Sequence, residues 1–252
     1  MKTVLQHILQ RKRAYGRLPF FDFLRDDTLS VRQRLAFYPC MASFIMSFGD
    51  LNRHVLRVEP SSDPHQQMLN AHSHEDDHHW PWYLEDFSKL GHDTPTTPTA
   101  WLRFLYSDAC ARNRMLSHEL AHLIWGATPR VRLAVVEAIE ETGNVLFALT
   151  TPLAERHTRS TGVTLRYLGE FHFALESGHA MNSDHAELVS ITLDEAQRAD
   201  ALARCNRVFE LFGAWADELH RYALARLAAP GPAHGLHAAA AAVAAAGAPG
   251  YL

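Results

Sequence analysis

Cysteine is scarce in this chain: Cys40, Cys110 and Cys205 are its three thiols in 252 residues, far apart and with no CxxC pair. Three such residues cannot supply a four-thiolate iron–sulfur cluster, and they leave an odd thiol under any disulfide scheme, as expected in a reducing compartment. Long apolar runs are missing as well, and none approaches the roughly 20 residues needed to span a bilayer. The stretch Met1-Lys2-Thr3-Val4-Leu5-Gln6-His7-Ile8 has no unbroken apolar core of a secretion signal, so the expected location is the cytoplasm. No Gly-rich fingerprint follows a strand, so electrons for any redox step would have to come from an external donor. Positive charge is in deficit, with 24 Lys and Arg against 28 Asp and Glu. The resulting formal charge of −4 gives no electrostatic case for nucleic acid or an anionic membrane.

What the chain does have is apolar side chains, 47% of all residues, recurring at three- and four-residue steps. That periodicity predicts an all-α bundle of about seven or eight helices in a single domain over residues 1–229, with no convincing strand. Expected helices cover about 29–56, 64–90, 100 onward, 110–125, 130–157, 161–180 and 193–228. Ser61, Ser62 and Asp63 ahead of Pro64 mark one start, and Gly91 the corresponding stop, with a kink at Pro81 between them. Residues 230–252 are rich in Ala, Gly and Pro and are expected to form a flexible tail.

The chain has seventeen histidines, several of which stand among carboxylates at helical spacing. His172, Glu176 and His179 lie at i, i+4 and i+7, which on a helix places them within about 60° of one another. His72, Glu75 and His79 form a second set, followed by the apolar stretch Trp80, Trp82, Tyr83, Leu84, Phe87 and Leu90. A helix that apolar is expected to be buried, and buried carboxylates need partners or a metal. Asp76, Asp77 and His78 are expected to point elsewhere, toward the surface. Between the two sets, Glu137 and Glu140 interrupt a helix of Val, Ala, Leu and Ile. Each is either a ligand or a charge paired with Arg130 and Arg132, Glu140 being the first choice as ligand and Glu137 the second. Imidazole with carboxylate suits iron, zinc, copper or manganese. The aromatic segments 20–24 and 44–48 are expected to be core, with a pocket wall as the other reading.

A competing pattern is His118-Glu119-Leu120-Ala121-His122, which satisfies the H-E-x-x-H zinc-peptidase motif, with Glu119 as base and Glu140 or Glu141 as a third ligand. Against it stands the absence of an edge-strand pattern that would hold an extended peptide. It also leaves both other sets unexplained.

Taken together, these residues resemble the heme-oxygenase-like non-heme di-iron oxidases and oxygenases. Those proteins pair a Glu and a His on one helix, a Glu on a middle helix, and His-x3-Asp/Glu-x2-His on a later one. Glu75 with His79, then Glu140, then His172, Glu176 and His179 look like those positions in order. Many members place the first Glu seven residues before its histidine, a position occupied here by His72, so either Glu75 or His72 completes the first set. The resemblance covers about residues 30–225. It implies a heme-oxygenase-like bundle, two Fe(2+) ions per chain with Glu140 as bridge, and an O2-dependent oxidoreductase. The implied substrate is a small molecule of amino acid or fatty acid type, with an external electron donor and a possible homodimer. A metal-free cofactor-biosynthesis enzyme of the same fold, or a binding protein with one metal or none, are the other readings.

Overall fold

The computed structural model describes residues 1–178 and 185–228. Among these residues every regular element is a helix and there is no strand, as the periodicity predicts. The expected flexible tail over 230–252 lies outside the described residues.

The chain opens with α1 (Lys2–Tyr15), α2 (Pro19–Arg25) and α3 (Val31–Arg34), the last started by a Ser30–Gln33 capping box. The first was not anticipated, although Val4, Leu5, Ile8 and Tyr15 mark its buried face. The single helix expected over 29–56 is divided. A 3₁₀ turn at Tyr38–Met41, which contains Pro39, separates α3 from α4 (Ala42–Leu51), and a π-helical turn at Asn52–Leu56 follows. Pro39 cannot donate the backbone hydrogen bond that a continuous α-helix needs there.

Next come α5 (Pro64–Asp76) and α6 (Trp80–Lys89). Asp63 caps α5 by accepting from the backbone N–H groups of His65 and Gln66, and Gly91 follows α6 at φ +76°, a left-handed conformation that glycine adopts without strain. Thr97 caps α7 (Pro98–Leu105), which precedes α8 (Ala111–Ile124). The 33-residue α9 (Pro129–Thr161) ends on Gly162 at φ +76°.

The helix expected over 161–180 is shortened to α10 (Glu170–Gly178). The buried Asp86 carboxylate accepts from the backbone N–H groups of Arg166 and Leu168 at 2.6 and 2.9 Å, which commits those donors away from a helical ladder. After α11 (His185–Ser190), an Asp194–Gln197 capping box starts α12 (Glu195–Ala228).

Helix α9 runs through the bundle and packs against α1, α5, α10 and α12, while α4 packs on α8. One contact ties the α8 start to α12: the buried Glu218 carboxylate accepts from Arg112 N and Asn113 N, each at 2.7 Å. Those two N–H groups belong to the first turn of α8, where no intrahelical acceptor exists. Among the described residues no helix is long and apolar enough to cross a membrane. The three cysteines are buried free thiols.

Candidate metal centre

The ends of three helices meet α9 at one place. His72 and Asp76 sit on the last turns of α5, His79 immediately precedes α6, Glu140 lies in α9 and His172 in α10. The helix expected over 64–90 breaks between them, at Asp77-His78-His79. Pro81 in the first turn of α6 needs no N–H there, so the break falls just ahead of it rather than as a kink within one helix. The broken turn is anchored by Asp77, whose carboxylate meets Arg57 at 2.7 Å, Arg53 at 3.2 Å and His78 at 2.6 Å. Burial disfavours the Asp77 charge, but the bonds from Arg53, His78 and Arg57 outweigh it and hold the carboxyl well below its ordinary range.

His72 Nε2 lies 3.1 Å from Asp76 Oδ2 and 3.4 Å from Glu140 Oε1, with the imidazole and Asp76 almost fully buried. These three residues offer donor atoms within 4.8 Å of one another. His172 Nε2 lies 3.1 Å from His79 Nδ1. Two donors bound to one ion at about 2.1 Å stand roughly 3.0–3.4 Å apart at octahedral or tetrahedral angles, which is the spacing of the His172 and His79 nitrogens.

His172 is also oriented. Its Nδ1 is 2.8 Å from the Tyr167 carbonyl, which can only accept, so the N–H is on Nδ1 and the Nε2 lone pair faces the site. Phe147, Tyr167 and Trp82 surround its ring, and Trp82 stacks on His79 at 4.5 Å and 20°.

Asp76, His79, Glu140 and His172 share one cavity, whose remaining wall includes Met41, Phe44, Phe48, Leu146, Phe212 and Trp215. Of the two aromatic segments, 44–48 therefore contributes to the wall, whereas Phe20, Phe21, Phe23 and Leu24 are buried core. His72 stands behind the carboxylates rather than on the cavity surface. Burial alone would favour its neutral form, yet Asp76 and Glu140 reverse this and hold its pKa well above the ordinary imidazole value.

The structure thus brings His72, His79, Glu140 and His172 together and leaves Glu75 out. Glu75 is exposed on another face of α5, because the helix ends before His79 and the i, i+4 relation between them never forms. Asp76 takes the inward place that sequence reasoning assigned to Glu75. Its signal was present: Asp76 is i+4 from His72 and three residues before His79. Asp76 and Asp77 are both buried, contrary to the surface position expected of them, whereas His78 is exposed as expected. Glu176 belongs to α10, but its side chain and all of His179 lie outside the described residues.

Arg130 and Arg132 do not pair with the α9 carboxylates; they donate to the Thr192 and Ala127 carbonyls. Glu141 turns away from the cavity and pairs with Lys12. Glu137, half-buried on the same helix, has its pKa pushed up to about 7 by burial and by the negative charges of Glu141 and Glu140. A pKa raised on folding stabilises the protein below the unfolded value of about 4.3 and costs stability as pH rises through about 7. Glu137→Gln is therefore expected to stabilise the metal-free protein by about 2 kcal/mol more at pH 8 than at pH 5. Urea midpoints of both proteins at the two pH values measure it, and an equal gain at each would refute it.

The H-E-x-x-H residues are arranged differently. His118 and His122 are exposed on α8, His118 Nδ1 faces the Arg114 carbonyl at 3.3 Å, and Glu119 pairs with Arg207 at 2.8 Å. The carboxylate that a peptidase would use as base is thus committed to a guanidinium. Neither a protein-family model nor a curated protein matches this chain.

Proposed function

We propose that this protein is an O2-dependent non-heme iron oxidoreductase whose metal ligands are Asp76, His79, Glu140 and His172, with Glu176 and His179 completing a two-iron set. The observation that carries this reading is the convergence of two carboxylates and two imidazoles from α5, α6, α9 and α10 on one otherwise apolar cavity. The donor set fits a divalent transition metal with open positions, since mixed imidazole and carboxylate suits ferrous iron. Two ferrous ions bound there would supply dioxygen reduction, which amino-acid side chains cannot perform.

The protein's own part is positioning and exclusion of water. His72 donates to Asp76 and Glu140 and fixes the direction of both carboxylates, as partners behind a metal ligand do. The Tyr167 carbonyl fixes the ring of His172, and Trp82 covers one face of His79. Phe44, Phe48, Leu146 and Phe212 give the cavity an apolar wall, which favours a small substrate with an apolar portion, of fatty acid or amino acid type. Electrons come from an external donor.

Anaerobic titration with Fe(II), followed by oxygen-uptake measurements against a panel of amino acids and fatty acids, tests the reading. About two irons per chain and substrate-dependent oxygen uptake are expected. A single zinc that survives His79→Ala and His172→Ala but is lost in His118→Ala would overturn it in favour of the peptidase.

A further inference from the structure

A second concavity lies on another face of α9, away from the metal ligands. It is a groove of about 940 Å3 between α1, α2 and α9, with Phe173 of α10 also in its lining. Its apolar side is formed by Leu9, Val145, Ala148, Leu149 and Phe173. Its polar side carries Lys12, Arg13, Arg17 and Arg25 against a single acid, Glu141. Four cations facing one carboxylate give the groove a local charge of +3, in a chain whose formal charge is −4.

Part of that charge is already used. Lys12 pairs with Glu141, and Arg25 donates to the Gly16 carbonyl and to Asp22. Arg13 and Arg17 are exposed at the rim. Lys12 and Arg13 also lie in the last turn of α1, where cations offset the helix dipole. Arg25 has the same role at the end of α2, but that role does not account for Arg17, which lies between the two helices, nor for the apolar floor beside them.

We infer that this groove is a binding site for a small amphiphilic anion, a carboxylate or phosphate joined to an apolar body. Arg13 and Arg17 receive the charged group, for which guanidinium offers two parallel N–H donors. Leu9, Val145, Leu149 and Phe173 cover the apolar body. The size agrees with small-molecule sites, which run to about 1,000 Å3 and are walled mainly by apolar side chains with a few polar groups that set orientation. The assignment is independent of the metal reading, because no residue of the groove is a proposed ligand.

Two fluorescent probes of similar shape test it: the anion 1-anilinonaphthalene-8-sulfonate and its uncharged relative N-phenyl-1-naphthylamine, each titrated into the full chain. The anion is expected to bind at least about tenfold more tightly than the neutral compound, and to weaken as salt rises. Arg13→Glu with Arg17→Glu should reduce anion binding at least about tenfold while leaving neutral-probe binding unchanged. Leu9 is 43% exposed, so Leu9→Asp removes apolar floor without opening the core, and it should weaken both probes. Thermal melts of each variant establish that it is folded. Equal affinity for the two probes, or undiminished anion binding in the folded double-arginine variant, would overturn the assignment.

Discussion

Asp76→Asn is expected to lower Fe(II) affinity by about 100-fold or more, while Glu75→Gln leaves it within about twofold. The two residues are adjacent and carry the same charge, so a contribution from net charge alone would make the substitutions equivalent. Their surroundings separate them. Asp76 is 2% exposed, 3.1 Å from His72 Nε2, and lines the cavity shared with His79, Glu140 and His172. Glu75 is exposed to solvent. Asparagine keeps the shape of the side chain but offers a neutral amide, which binds a transition metal far less well than carboxylate. Replacing even a partner behind a ligand commonly costs 10- to 100-fold in affinity, so loss of a ligand should cost at least the upper end. Anaerobic titration of both variants, with thermal melts to show that each is folded, gives the comparison. Equal losses would remove Asp76 from the ligand set.

That misplacement by one residue shows where sequence reasoning ran out. The all-α class was legible because apolar positions recur at helical spacing along nearly the whole chain, and helix ends were legible where caps are local. Asp63 and Gly91 each begin or terminate a helix through a bond or a φ angle that depends on one or two neighbours, whereas Gly162, placed inside the helix expected over 161–180, in fact ends α9. Which side of α5 faces inward was harder, because helix phase can be read only while the helix continues. A straight helix through His79 places Glu75 beside it at i, i+4. The actual chain stops at Asp76, and the broken turn brings His79 inward by a different route. What stops it is a tertiary arrangement: Arg53 and Arg57, from the preceding turn and the segment after it, hold the Asp77 carboxylate. No local pattern announces that contact.

The same limit applies to Asp86. It reads as one acid in an amphipathic helix, yet it reorganises residues 166–168, eighty residues away, and thereby sets where α10 can begin. Glu140 survived such errors because it lies well inside α9, so its phase was fixed by neighbours on both sides, whereas His172 stands in the first turn of α10 and is held inward by its contacts with the Tyr167 carbonyl and His79.

Gly49→Ala is the second substitution with a large expected effect, and it probes the broken turn directly. A Cβ built on Gly49 of α4 falls 2.5 Å from the Asp77 carbonyl oxygen, well inside van der Waals contact. The obstacle is backbone, and its neighbouring side chain is held by Arg53, Arg57 and His78, so it cannot swing aside as a flexible side chain would. Either α4 moves off the turn or the turn moves off α4. We expect a loss of about 3 kcal/mol in stability, in the range of overpacked cores, together with weaker Fe(II) binding because Asp76 and His79 flank the displaced peptide. Gly143→Ala is the control. Its Cβ would meet only the Phe147 ring, at 3.6 Å, in the middle of α9, so alanine should be neutral or stabilise by up to about 1 kcal/mol. Urea unfolding of the two variants beside the parent protein decides the matter. Should Gly49→Ala be as stable as Gly143→Ala, α4 does not approach the Asp77 turn as closely as described, and the packing argument for how His79 is held inward fails with it.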